Sequence, residues 1–233
     1  CYRAAWEVLA LQGPFGVALS LGEQILAIDG LDPRLAELAR LTHSEALTRV
    51  GATDGMEAML TQALERVRAL GDRRLEGRIL SRIGNLGLWT GRLEEAQARY
   101  SAALDCAQEL GDRLLEARMH GNLAIINHES GRGSEATFHY EAALEIERDI
   151  GSQRDEAITL CNFADLISNQ GDNARAKATF ETALALLREL GSLRAVRDAS
   201  VEQLAAVDGI AATDAQRIHA FFAALRETDL PEA

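Results

Sequence analysis

The stretch "GDRLLEARMHGNLAIINHESGRGSEATFHYEAALEIERDI", residues 111–150, decides how the chain is read. Alone it invites chemistry: two histidines, His120 and His128, a glutamate beside the second, and a glycine-rich "GRGSEA". It is not alone. The block from Gly71, "GDRRLEGRILSRIGNLGLWTGRLEEAQARYSAALDCAQEL", and the block from Gly151, "GSQRDEAITLCNFADLISNQGDNARAKATFETALALLREL", align with it without a gap at a period of 40. Gly91, Gly131 and Gly171 coincide, as do Ala96, Ala136 and Ala176, and then Tyr100, Tyr140 and Phe180. Fixed-period self-similarity outranks any local motif, because it defines the structural unit within which motifs must be placed.

Each block divides at its internal glycine into two helical halves. In residues 117–130 the small or apolar-facing positions His120, Leu123, Ala124 and Asn127 recur at i, i+3, i+4 and i+7, one stripe of a helix. After Gly131 a second helix resumes with Ala136, Tyr140, Ala143 and Leu144 on one face. The alanines let the two helices approach closely, and the tyrosine fills the space between them. A Gly-Asp or Gly-Ser pair separates consecutive blocks, as a helix C-cap followed by a polar residue would. Such a hairpin cannot bury its apolar face alone, so copies must stack.

The spacing Leu80-x2-Ile83-Gly84-x2-Gly87 followed by Ala96-x3-Tyr100 resembles the tetratricopeptide repeat, as does Leu160-x2-Phe163-Ala164-x2-Ile167 with Ala176-x3-Phe180. The family's closing proline is absent and the period is longer, a form similar to the arrays attached to bacterial signalling ATPases, kinases and transcription regulators. The resemblance implies an all-α fold, a right-handed α-solenoid of stacked antiparallel helix hairpins. Repeats are assigned at 71–110, 111–150 and 151–192, with a degenerate copy at 31–70 whose first helix has drifted. A further hairpin occupies 1–30, turning at Gly13-Pro14, and a helical cap occupies 193–233.

Composition is compatible with this: 47% hydrophobic and 26% charged residues, three prolines and an Ala/Leu/Glu/Arg texture. No apolar run is long enough to span a membrane and no basic-then-apolar leader is present, so membrane partners are not expected. The chain opens on Cys1 inside a helical pattern and reads as a piece of a longer protein. Three cysteines without ligand spacing point to reduced thiols and a cytoplasmic setting. A net charge of −12 argues against nucleic acid or anionic membrane as the default partner.

No catalytic, metal or cofactor site emerges. On one helix His120 and His128 lie about 12 Å apart along the axis and roughly 80° apart around it, too far to share an ion. His43, His139 and His219 join no cluster, and His120 occupies the slot held by Leu80 and Leu160, which reads as packing. "GRGSEA" is the inter-helix turn seen as "GRLEEA" and "GDNARA" in the neighbouring blocks, not a phosphate loop.

Function is therefore expected on the other side of the first helices. If 80, 83, 84 and 87 are buried, then Arg78, Ser81, Arg82, Asn85 and Trp89 face away from them. The equivalent positions are Arg118, Gly121, Asn122, Ile125 and Glu129, then Ile158, Cys161, Asn162, Asp165 and Asn169. The resemblance implies that this face lines a concave groove for extended peptides, with Asn122 and Asn162 clamping the peptide backbone. Arg78, Arg82 and Arg118 make one end basic, suited to an acidic segment or a carboxylate. Trp89 is either a stacking platform or a packing residue.

The tail has two readings. "GSLRAVRDASVEQLAAVDGI", residues 191–210, resembles the C-terminal helix-hairpin-helix segment of the C subunit of bacterial excision nuclease. By that resemblance Gly209, Ile210 and Ala211 would form a DNA hairpin, with Ala211 replacing the family's second glycine. The other reading is a degenerate sixth repeat, with Ala215, Phe221 and Ala224-Leu225 near the projected positions. The sequence as a whole reads as a non-catalytic, peptide-binding scaffold with a protein or peptide partner. The alternatives are a sensor or autoinhibitory arm of a larger regulator, a DNA-associated module, and a self-assembly module.

Overall fold

A computed structural model describes residues 15–52 and 55–189. Among them nine helices follow one another without a strand: α1 (Phe15–Leu26), α2 (Pro33–Arg49), α3 (Met56–Ala69), α4 (Arg73–Trp89), α5 (Leu93–Leu110), α6 (Arg113–Glu129), α7 (Gly133–Asp149), α8 (Gln153–Asn169) and α9 (Asn173–Glu189). The starts of α2, α4, α6 and α8 fall 40 residues apart, so the sequence period is the structural period. The first helix of the 31–70 block, whose residue pattern departs from the other copies, is a helix that starts at the equivalent position. The turn at Gly13-Pro14 and the tail from 193 onward lie outside the described residues.

Local chemistry sets where each helix stops and the next begins. Gly71, Gly91, Gly111, Gly131, Gly151 and Gly171 all have φ between 61° and 91°, the left-handed region where a side chain would be strained. The amide of the following residue then reaches back five residues, as Asp112 N–H does to the Ala107 carbonyl at 2.9 Å, closing a Schellman-type end. That same residue opens the next helix where it is aspartate: Asp72 and Asp112 accept from the backbone N–H of Leu75 and Leu115. One Gly-Asp pair thus ends one helix and caps the next.

Within a hairpin the small residues decide how closely the helices approach. Ala96, Ala103, Ala136 and Ala143 are fully buried, as are Tyr100 and Tyr140. A Cβ at Gly84 would lie 2.5 Å from the Tyr100 ring, so only glycine admits that ring. Between repeats the second helix of one hairpin packs on the first helix of the next, in clusters that include Val67, Ile79, Met119 and Ile126. The rim of these junctions carries ion pairs in register: Arg68–Glu76 at 2.7 Å, Arg148–Glu156 at 2.7 Å, and Arg73 bridging Glu76 and Glu109. Pairs whose arginines are half exposed contribute little each, even where the carboxylate, as at Glu76, is buried, so the apolar clusters carry the stacking. The result is an all-α solenoid in which α2, α4, α6 and α8 touch one another in sequence along one face. No helix among the described residues is long and apolar enough to cross a membrane.

Candidate functional site: the groove of the first helices

The shared face of α2, α4, α6 and α8 walls a groove of about 830 Å³. From α4 it receives Arg78, Ser81, Arg82 and Asn85; from α6, Arg118, Gly121, Asn122 and Ile125; from α8, Ile158 and Asn162. These all belong to the face expected from the sequence. Asp165 and Glu129 border an adjoining depression with Ile125 and Asn162. Trp89, Cys161 and Asn169 line neither space. Trp89 is 55% exposed. The Asn169 amide instead meets Nε2 of His128 at 2.9 Å.

The polar side chains of the groove form a ladder rather than isolated groups. Tyr100 donates its hydroxyl to Asn85 Oδ1 at 2.7 Å, and Asn122 Nδ2 donates to the same oxygen at 3.4 Å. Tyr100 therefore links the packing of the hairpin to the groove wall. Asn122 keeps its carbonyl oxygen for another donor, while the Asn162 amide has no partner among the described residues. An amide supplies both donor and acceptor, the pair that a peptide backbone needs.

The arginines are less interchangeable than their spacing implies. Arg82 donates to Ser44 Oγ at 3.3 Å and Thr48 Oγ1 at 3.5 Å, tying α4 to α2. Arg118 pairs with Asp155 at 3.3 Å, across to α8 rather than along its own helix. Arg74 and Arg154, one turn before positions 78 and 158, also line the groove, and their side chains have no ion-pair partner among the described residues. The pattern of the sequence missed both because the stripe was begun one turn too late. It also missed Leu41, Thr42 and Glu45 of α2, which extend the wall and sit one period before 81, 82 and 85.

Glu147 is the least expected wall residue. It comes from α7, a second helix, and is 2% exposed. Thr159 of α8 donates to its Oε1 at 2.9 Å, while Oε2 is buried without a hydrogen-bond partner. Burial pushes its carboxyl up to about 7, further than the Thr159 hydrogen bond can pull it back.

His139 corrects one expectation. It pairs with His120 across the turn, Nδ1 to Nδ1 at 2.9 Å, with the Phe138 ring edge-on to both. Burial lowers both imidazoles from their ordinary value, so one neutral ring donates to the other. The pair packs inside its hairpin and leaves His120 a packing residue. Among the described residues no group of three His, Cys, Asp or Glu side chains could hold a metal.

Residues 75–149 match the tetratricopeptide-repeat family model, and the hairpins there are tetratricopeptide repeats. Residues 180–230 match the helix-hairpin-helix motif. That match covers the later half of α9 and most of the tail, including Gly209, Ile210 and Ala211, which lie outside the described residues. No curated protein matches the chain in sequence. Among solved structures, BtubC (BKLC) from P. vanneervenii is 23% identical with a TM-score of 0.64, over 94% of this chain and 92% of that one. A putative kinesin light chain from Podosopora anserina with nearly identical TPR-like repeats is 14% identical with a TM-score of 0.63, over 81% and 94%. A Rap protein complexed with Competence and Sporulation Factor is 18% identical with a TM-score of 0.69, over 98% of this chain but 64% of that one. At these identities the likeness is one of fold: stacked tetratricopeptide-type hairpins.

Proposed function

We propose that the chain is a non-catalytic scaffold that binds an extended, acidic peptide segment along α2, α4, α6 and α8. The observation that carries this is the 830 Å³ groove, where Asn122 and Asn162 stand on adjacent repeats with amide groups left to bond. Arg74 and Arg154 add cations without partners among the described residues, on a molecule of net charge −12. Backbone capture by the amides and carboxylate capture by the arginines favour the same ligand, an extended segment with acidic side chains or a terminal carboxylate. The Rap protein, similar in fold, was solved with a bound factor, so an array of such hairpins can hold a partner. Unpaired Cys106 and Cys161 fit work in a reducing, cytoplasmic setting.

A peptide array spanning acidic, neutral and basic sequences tests this directly. The intact chain retains acidic peptides, and an Asn122→Ala, Asn162→Ala double variant loses them. Equal retention by the double variant removes the groove from the explanation.

The helix-hairpin-helix match supports a second reading, in which the tail touches DNA. Retention on duplex DNA that falls steeply with salt, and that vanishes when the chain is cut at residue 190, is its signature.

A further inference from the structure

One junction between repeats departs from the others. Position 67 is valine, 107 alanine and 147 glutamate; facing positions 79 and 119 are isoleucine and methionine, and 159 is threonine. All six side chains are buried. At the third junction an apolar pair has thus been replaced by a carboxyl and a hydroxyl, with one carboxyl oxygen left without a partner. Leaving a buried polar atom unsatisfied opposes folding. Other buried carboxylates in the chain are treated differently: Glu37 is held by Arg40 and Arg66, and Glu76 by Arg68 and Arg73. No cation forms an ion pair with Glu147; Arg118, the nearest favourable charge, is turned to Asp155.

The groove opens above this pair. At position 121 glycine stands where the neighbouring repeats have Ser81 and Cys161. A Cβ at Gly121 would lie 3.9 Å from Thr159 Oγ1 and meet nothing closer outside its own helix. Gly77, Gly84 and Gly87 are filled by neighbours, whereas Gly121 leaves a notch in the groove wall leading to Thr159. Gly121, Glu147 and Thr159 all line the same cavity. Mid-helix glycine and unsatisfied buried carboxyl both work against stability, and they meet at one point of the groove.

We propose that this notch is a subsite for a primary ammonium group of the bound peptide, received by the Thr159 hydroxyl with the Glu147 carboxylate behind it. It rests on the groove reading and names a second recognition element within it. Thr159 spends its proton on Glu147 Oε1 and keeps lone pairs for an incoming N–H. The charges around the carboxyl leave room for one more cation. Arg118 of α6 is engaged by Asp155, Glu156 of α8 is engaged by Arg148, and Ser152 donates to Asp155. An ammonium group in the notch favours the ionised carboxylate, which is neutral over much of the acidic range when the notch is empty. Binding below neutral pH therefore releases a proton from Glu147 to solvent.

Three synthetic pentapeptides separate the sources of the ammonium group: Ala-Ala-Glu-Glu-Ala with a free N-terminus, the same peptide N-acetylated, and N-acetyl-Lys-Ala-Glu-Glu-Ala. Amide NMR of the full chain follows Gly121 and the side-chain amides of Asn122 and Asn162. One of the two ammonium-bearing peptides is expected to bind at least tenfold more tightly than the acetylated parent; which one does so identifies an N-terminal or a lysine ammonium. Glu147→Gln and, independently, Gly121→Ala reduce that peptide to the level of the acetylated parent. Proton release on binding at pH 6, read by calorimetry in buffers of different ionisation enthalpy, disappears in Glu147→Gln. Equal binding of all three peptides, with the Asn122 and Asn162 signals shifting, overturns the notch and leaves the groove standing. No shift of those signals with any peptide overturns both.

Discussion

The junction between α3 and α4 and the junction between α7 and α8 occupy the same place in their repeats and are built from opposite chemistry. The first holds Val67 and Ile79 in a closed apolar cluster. The second holds Glu147 and Thr159, equally buried, with an oxygen left over. The backbone barely distinguishes them, since α4 and α8 start at equivalent residues and each follows a left-handed glycine. The repeat therefore specifies geometry, and the choice of side chain at a junction is free to serve something else. Where that choice opposes stability beside a groove, recognition is the natural beneficiary.

The strongest way to break the comparison is to make the first junction like the second. Ile79→Glu places a carboxyl among apolar groups with no hydroxyl facing it. The expected loss is about 3–5 kcal/mol, in the range of an uncompensated buried charge, read as a lower urea midpoint by circular dichroism. If Ile79→Glu is tolerated as readily as the native Glu147, the junctions are not chemically distinct and the α7–α8 pair needs no functional reason.

A smaller effect tests the second junction itself. The carboxyl of Glu147 titrates near 7 when folded, and in the ordinary carboxylate range when unfolded. The folded chain thus holds this proton more tightly, so the associated stability is fully present below the unfolded value and is lost as pH rises through the folded one. Between about pH 4.5 and 7.5 the intact chain should lose roughly 3 kcal/mol relative to Glu147→Gln, whose amide does not titrate. Comparing unfolding free energies of the two chains across that window cancels the contribution of the other carboxylates. A flat difference would mean that Glu147 ionises freely despite its burial.

What the sequence revealed and what it hid divide along similar lines. The period, the left-handed glycines, the Ala and Tyr packing and the identity of the groove face all follow from local pattern, since each is fixed by helix geometry within one repeat. Arg74 and Arg154 were legible too, had the stripe been continued by one turn. The residues that escaped are those whose meaning lies across elements. His120 and His139 meet over a turn 19 positions apart, and Arg82 spends its donors on Ser44 and Thr48 of the preceding repeat. Glu147 escaped because an acid in a second helix ordinarily faces water. Only its alignment with Val67 and Ala107 marks the position as an interior one.

The finest test uses one substitution at two glycines of equivalent helices. Gly84 and Gly121 both sit mid-helix, where glycine is less favourable than alanine by about 0.5–1 kcal/mol through the freedom it loses on folding. At Gly84 a methyl collides with the Tyr100 ring at 2.5 Å, and that ring is fully buried and bonded through its hydroxyl to Asn85. It has nowhere to go without opening the hairpin, so Gly84→Ala should destabilise by about 1–3 kcal/mol, the scale of overpacking. At Gly121 the methyl enters open groove and touches Thr159 at an ordinary van der Waals distance. Gly121→Ala should therefore recover the helix preference and stabilise the chain by about 0.5–1 kcal/mol. Thermal unfolding of the two variants should move in opposite directions from the parent. A glycine that packing does not require, and whose replacement strengthens the fold, is explained by what must pass over it; a neutral or harmful Gly121→Ala would return it to the class of Gly84.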